Sequence, residues 1–142
     1  VSPARRAAAM NLKCALFMAL FLTGCSDRGA EPIAQGPGVP VTVSFSGDIQ
    51  PVFDANCVAC HGAAGNGNLD LRPGLAWDNL IGVASSGYAE VRVDPGNPEE
   101  SLLYLKLTGA AGAGPRMPAG GALEAAAIES FRVWIQAGAP DN

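Results

Sequence analysis

The stretch NCVACHGAAG, Asn56 to Gly65, sets two cysteines three positions apart with the chain's single histidine directly after the second. The chain has 142 residues with four cysteines and one histidine, so three of those five residues fall within five consecutive positions. Cys57-x-x-Cys60-His61 admits three chemistries: a dithiol redox pair, half of a zinc site, or covalent attachment of a haem.

The rest of the chain weighs against the first two. A structural zinc takes about four ligands, and beyond position 25 only Cys57, Cys60 and His61 offer thiol or imidazole donors. A thioredoxin-like pair normally opens a helix after a strand and does not require a following histidine; here the pair comes toward the end of a predicted helix. Haem attachment uses all three residues. Two thiols add across the two vinyl groups, the two-residue gap lets both reach one edge, and the next side chain is the proximal imidazole ligand.

The N-terminal segment supplies a compartment. From Met10, which reads as a translation start downstream of VSPARRAAA, the sequence runs MNLKCALFMALFLTGCSDRG. Arg5, Arg6 and Lys13 give a basic flank, and Cys14 to Leu22 form an apolar run too short for a spanning helix of roughly 20 residues. The run ends in LTGC, Leu22 to Cys25, which resembles the bacterial lipobox, whose cysteine is acylated and becomes the new N-terminus. Residues 1–24 are therefore expected to be a lipoprotein signal peptide and Cys25 the lipidation site. The alternative is an ordinary secretory signal followed by a chance cysteine. Ser26 in place of Asp gives no inner-membrane retention signal, by the same resemblance.

Export suits the haem reading, since covalent attachment follows export, and it closes the cysteine account: Cys14 is discarded, Cys25 lipidated, Cys57 and Cys60 carry haem. Loss of residues 1–24 removes three Lys/Arg and leaves six basic residues against 13 acidic ones, more negative than the −4 of the whole chain. With no basic run, the mature protein is a poor candidate for nucleic acid. The scattered acids read as a solvated surface with a weak preference for basic partners.

The elements that must position the motif follow from caps and periodicity. Residues 25–40, the lipidated cysteine and SDRGAEPIAQGPGVP, lack apolar periodicity and read as a flexible tether with a reach of roughly 20 Å. The folded domain is expected over 41–142, opening with a short extended VTVSF. Asp48 is expected to cap a first helix to about Cys57, with Pro51 tolerated in its first turn. A second helix is expected over Pro73 to Leu80. In the third, Asn97, Pro98 and Glu100 suit N-cap, N1 and N3, and the end falls near Thr108–Gly109. The last runs from Glu124 to Ala137, with Ile128, Phe131 and Ile135 as its apolar stripe and Gly138 at C′. Leu102, Leu103 and Leu105 are expected in the core.

From Phe45 to Ala139 the chain resembles a single-haem, class I type cytochrome c. More narrowly it resembles the cytochrome c-like domains of planctomycete and deltaproteobacterial exported proteins. The matching pieces are DIQPVFDANCVACHG, AWDNLIGV, VDPGNPEESLLYLKLTG, PRMPAGG and IESFRVWIQAGAP. The resemblance implies an all-α fold, a small domain of four helices wrapped around one covalently attached haem c. Two departures stand out. Ile49 occupies a position, four before Phe53, where class I proteins often carry glycine, which widens the expected crossing of the Phe53 and Trp134 helices. Glu124 stands where the subgroup's last helix usually opens with Ser or Thr, and Glu caps weakly.

The resemblance also implies a distal ligand. Met117, the only methionine beyond position 25, lies in AGAGPRMPAGG, which matches the family's ligand loop, and a thioether is a soft ligand that raises haem potential. The bland alternative is a loop methionine packed on the haem face. Lys106 reads first as a solvated side chain, with iron ligation a distant alternative. Trp77, Tyr88, Arg92 and Arg116 are candidates for haem-propionate contacts, each weighed against an ordinary core or surface role.

The expectation is a non-enzymatic electron carrier, with one haem cycling between ferric and ferrous. Cys57 and Cys60 hold the cofactor, and His61 and Met117 hold the iron. It is exported and lipid-anchored at the periplasmic face of a bacterial membrane, with redox proteins as partners and no small-molecule substrate. Two rivals remain: a ligand sensor or peroxidase-like protein if Met117 is labile, and a surface structural protein with a vestigial haem domain. No distal histidine is available for peroxide cleavage, which weakens the enzyme version.

Overall fold

The computed structural model describes residues 42–63 and 65–142. The signal segment 1–24, the lipidation site Cys25 and the tether lie outside the described residues. Among the described residues the fold is all-α: four α-helices and no strand, with isolated bridges pairing Ile81 with Val93 and Ala84 with Val91.

The first helix opens differently from its expected cap. Ser44, in extended conformation, is the N-cap: its hydroxyl accepts from Gly47 N–H at 3.1 Å, while Asp48 Oδ2 accepts from Ser44 N–H at 2.8 Å. This is the reciprocal logic of a capping box stretched by one residue. Asp48 thus caps from inside the element. The extra residue goes into a π-helical turn, Phe45–Ile49, which runs directly into α1, Gln50–Asn56. The winding puts Phe45, Ile49 and Phe53 on one inward face, all buried.

That turn also alters the expected aromatic contact. Trp134 meets Phe45, with ring centroids 5.3 Å apart, and Phe53 meets Phe131 at the same distance. Ile49 is 0% exposed, filling the space that a glycine would leave for close helix approach. The last helix, α4, accordingly packs on the π-helical turn.

Helix α2, Ala76–Leu80, starts three residues later than expected and is pinned by Trp77, whose indole N–H donates to Ala139 O at 2.9 Å. The third segment is broken in two. Pro98–Glu100 form a single 3₁₀ turn, Ser101 is extended, and α3 spans Leu102–Thr108. Asn97 does not cap; its side chain donates to Asp94 Oδ2. Ser101, 0% exposed, stands at the N-cap of α3 without a side-chain cap bond; its Oγ accepts from Asp94 N–H at 2.9 Å and donates to Asn97 O at 2.9 Å, tying the preceding turn together. Gly109 (φ 73°) ends α3 in the left-handed region.

Helix α4, Ala125–Gln136, follows Glu124, which makes no side-chain cap. It closes with both Schellman bonds, Ala139 N–H to Trp134 O and Gly138 N–H to Ile135 O, each 2.9 Å, around Gly138 at φ 95°. Phe131, Trp134 and Ile135 are buried, and Ile128 is partly so. Leu102 is buried as expected, whereas Leu103 and Leu105 are half-buried.

Candidate functional site

The cysteine–histidine turn grows out of the end of α1. Cys57 N–H and Val58 N–H both donate to Phe53 O, and His61 N–H donates to Cys57 O at 2.8 Å, so the chain coils once more after the helix proper. It then reverses through Gly62 and Gly65. A Cβ on Gly65 would strike Leu69 O, stand 2.8 Å from Gly62 O and 2.9 Å from His61 Cα. Only glycine lets these backbones come together. The reversal brings Asn66 O to His61 Nδ1 at 3.0 Å. A carbonyl can only accept, so Nδ1 carries a proton, and in the neutral ring Nε2 then keeps its lone pair. The imidazole is thereby oriented and held in the tautomer suited to a metal bond through Nε2.

Cys57 is half-buried; burial first, and the neighbouring Cys60 second, push its thiol up to about 11. Cys60 is exposed, and the two sulfurs are not bonded to each other. Among the described residues no three His, Cys, Asp or Glu side chains converge to hold a metal ion. A zinc site therefore has no completing ligands there.

His61 and Cys57 face a cleft of about 280 Å³, close to the lower end of the roughly 300–1,000 Å³ of small-molecule and cofactor sites. Its wall is made by Leu69, Leu71, Leu80, Leu102, Leu103 and Leu107, and Met117 lines it too. The structure thus gathers Cys57, His61 and Met117 around one apolar space, while Cys60 is not in its lining. No Asp or Glu lines the cleft; its two charged residues are Arg92 and Lys106.

The loop bearing Met117 is tied to α3 by main-chain and side-chain bonds. Met117 N–H donates to Lys106 O at 2.9 Å, and Arg116 Nε–H to Leu107 O at 2.9 Å. Of the four side chains considered for propionate contacts, Trp77 and Arg116 are engaged elsewhere and do not line the cleft. Arg92 does line it, 8% exposed, but its guanidinium already donates to Asn79 O, Gly67 O and Asn68 O at 2.8–3.1 Å. It therefore pins the loop after His61 onto α2. Tyr88 lines the cleft, and its hydroxyl accepts from Lys106 Nζ at 3.0 Å.

Two contributors have no signature in the sequence. Asn66 acts through its backbone carbonyl, which any residue possesses. Gly65 reads as one glycine among 18, and only the crossing backbones single it out. Comparison with protein-family models, with curated proteins and with solved structures finds no match to this chain.

Proposed function

We propose that the protein is a cytochrome c-like electron carrier, holding one haem c through Cys57 and Cys60 with His61 and Met117 as the iron's ligands. The observation that carries this reading is the meeting of Cys57, His61 and Met117 on one acid-free, leucine-walled cleft, although Met117 is far along the chain from the other two. The residues suit the group in three further respects. The His61 ring leaves Nε2 free to bind a metal. The apolar wall matches a porphyrin face, and Arg92 and Lys106 put positive charge beside a dianionic cofactor.

When bound, the haem supplies reversible one-electron chemistry. The chain's part is to hold and to insulate. Asn66 O fixes the His61 ring, the leucines exclude water and lower the local dielectric, and the α3-tethered loop presents a thioether sulfur. With both His61 and Met117 engaged there is no open position for a substrate, so the proposed role is transfer between redox proteins and not catalysis. The signal-like segment and Cys25 extend the proposal to a lipid-anchored protein at the periplasmic face of a bacterial membrane. A tether there confines the search for partners and raises their effective concentration.

The test is a redox-titrated visible spectrum of the membrane fraction, with acid–acetone extraction of the denatured protein. Haem should resist extraction, and the oxidised protein should show the weak sulfur-to-iron band at the red end. Met117→Ala should abolish that band and lower the potential, and Cys25→Ala should release the domain from the membrane. Freely extractable haem refutes the covalent reading. A wild type that lacks the band and binds CO at once refutes the simple carrier in favour of a ligand sensor.

A further inference from the structure

Lys106 is placed where the pattern of α3 calls for an apolar residue. Leu102, Leu103 and Leu107, on the same helix, line the cleft beside it. Its ammonium is not solvated freely: Nζ donates to Ala113 O at 2.8 Å and to Tyr88 Oη at 3.0 Å, and stands 4.1 Å from the Tyr88 ring centroid. Its main-chain carbonyl accepts from Met117 N–H at 2.9 Å. One residue therefore grips the methionine loop twice, through its side chain at buried Ala113 and through its backbone at Met117.

The pieces around it are shaped for the grip. Gly114, at φ 73°, lies so close beneath Tyr88 that a Cβ would meet the tyrosine hydroxyl. The ion pairs among the described residues are Asp70–Arg72 and Glu129–Arg132, so no carboxylate of the described residues pairs with Lys106. Its partners are a neutral carbonyl and a neutral phenol, in a cleft wall without acids. A positive charge that stays unneutralised at low dielectric favours whichever state of a nearby centre carries less positive charge.

We infer that Lys106 is a positioning residue for Met117: its double grip sets the reach of the methionine loop, and its unpaired charge favours the reduced state of the metal. The inference rests on the proposal that Met117 is a ligand. An ammonium engaged by Ala113 and Tyr88 is thereby a holder of the ligand loop instead of a competing ligand.

The experiment compares Lys106→Met, Lys106→Gln and Lys106→Arg with wild type in the haem-loaded full chain. Three quantities are read: intensity of the sulfur-to-iron band, midpoint potential, and the rate of cyanide binding to the oxidised protein. Lys106→Met removes donor and charge; it should weaken the band, lower the potential and speed cyanide binding about tenfold or more, as expected when about 1.4 kcal/mol of loop restraint is lost. Lys106→Gln keeps a donor without the charge and should hold the band while the potential stays low. Lys106→Arg should return the potential toward wild type, a rescue that a space-filling role would not give.

Wild-type band, potential and cyanide rate in Lys106→Met overturn the inference. Should that variant not accumulate, a Lys106→Gln protein with unshifted potential overturns it equally. A wild type without the band refutes ligation by Met117 itself, whereas a wild type with the band and an indifferent Lys106→Met refutes the positioning role alone.

Discussion

Replacing Gly65 by alanine should damage the site without touching any side chain in it. The added methyl meets backbone on three sides: Leu69 O, Gly62 O at 2.8 Å and His61 Cα at 2.9 Å. None of these is the yielding end of a flexible side chain, so the turn has to open. The bonds that close it are Gly65 N–H to Gly62 O at 2.8 Å, Asn66 N–H to Cys60 O at 3.1 Å, and His61 Nδ1–H to Asn66 O at 3.0 Å. At about 0.5–1.5 kcal/mol net for each, losing them costs about 3 kcal/mol. For a domain of this size that lowers Tm by roughly 12–24 °C. Gly121→Ala is the matched control, because its Cβ would meet nothing within 4 Å and its φ needs no glycine. Thermal unfolding followed by circular dichroism reads the stability, and, on the proposed haem reading, the visible spectrum of the same samples reports the ligation by His61. A Gly65→Ala protein within about 0.5 kcal/mol of Gly121→Ala, the ordinary spread for surface changes, with an unaltered spectrum, would show that the crossing of backbones does not orient His61.

Ser101→Ala should cost about 1–3 kcal/mol in urea unfolding, since Asp94 N–H and Asn97 O both lose their buried partner; a change below 0.5 kcal/mol, the ordinary spread for surface changes, would remove the serine from its place as the joint between the 3₁₀ turn and α3. Trp134→Ala should cost about 3–5 kcal/mol, the range for emptying a fully buried indole site. Trp134→Phe should fall between it and wild type, because the ring contact with Phe45 survives while the N–H bond to Pro140 O is lost. Arg72 donates to Asp70 and holds its carboxyl below the ordinary value of 3.8. The folded state thus binds that proton less readily than the unfolded chain. The contribution is complete above the ordinary pKa and is lost as pH falls through the lower folded one. Asp70→Asn should flatten that acid limb in unfolding experiments, with little change near neutrality, and an identical limb in both proteins would refute the assignment.

Much of the local structure was legible in residue order because its causes act within one turn of chain. Gly109 and Gly138 stop α3 and α4 where left-handed backbone is needed, and Phe131 and Ile135 mark the buried stripe of α4. The start of the first helix was misread by a few residues for a physical reason. Both Ser44 and Asp48 are competent cap residues, and only the burial of Phe45 beside Trp134 selects the longer, π-wound start. Asn97, Pro98 and Glu100 satisfied the rule for a capped helix, yet Ser101 is needed at Asp94 and Asn97, and the helix breaks there.

The sequence by itself determined the reagents: two thiols and an imidazole within five positions, and one thioether in a proline-flanked loop. Those are properties of residue type and short-range order. Tertiary structure decided which of them share a space, bringing Met117 into one cleft with Cys57 and His61 while leaving Cys60 exposed. It also decided the roles of polar groups. Arg92, Arg116 and Trp77 all read as available donors, and each donates to a backbone carbonyl nine or more residues away along the chain. A carbonyl looks the same at every residue, so where it points is a property of the packed chain. The orientation of His61 by Asn66 O and the grip of Lys106 on Ala113 O belong to the fold for that reason.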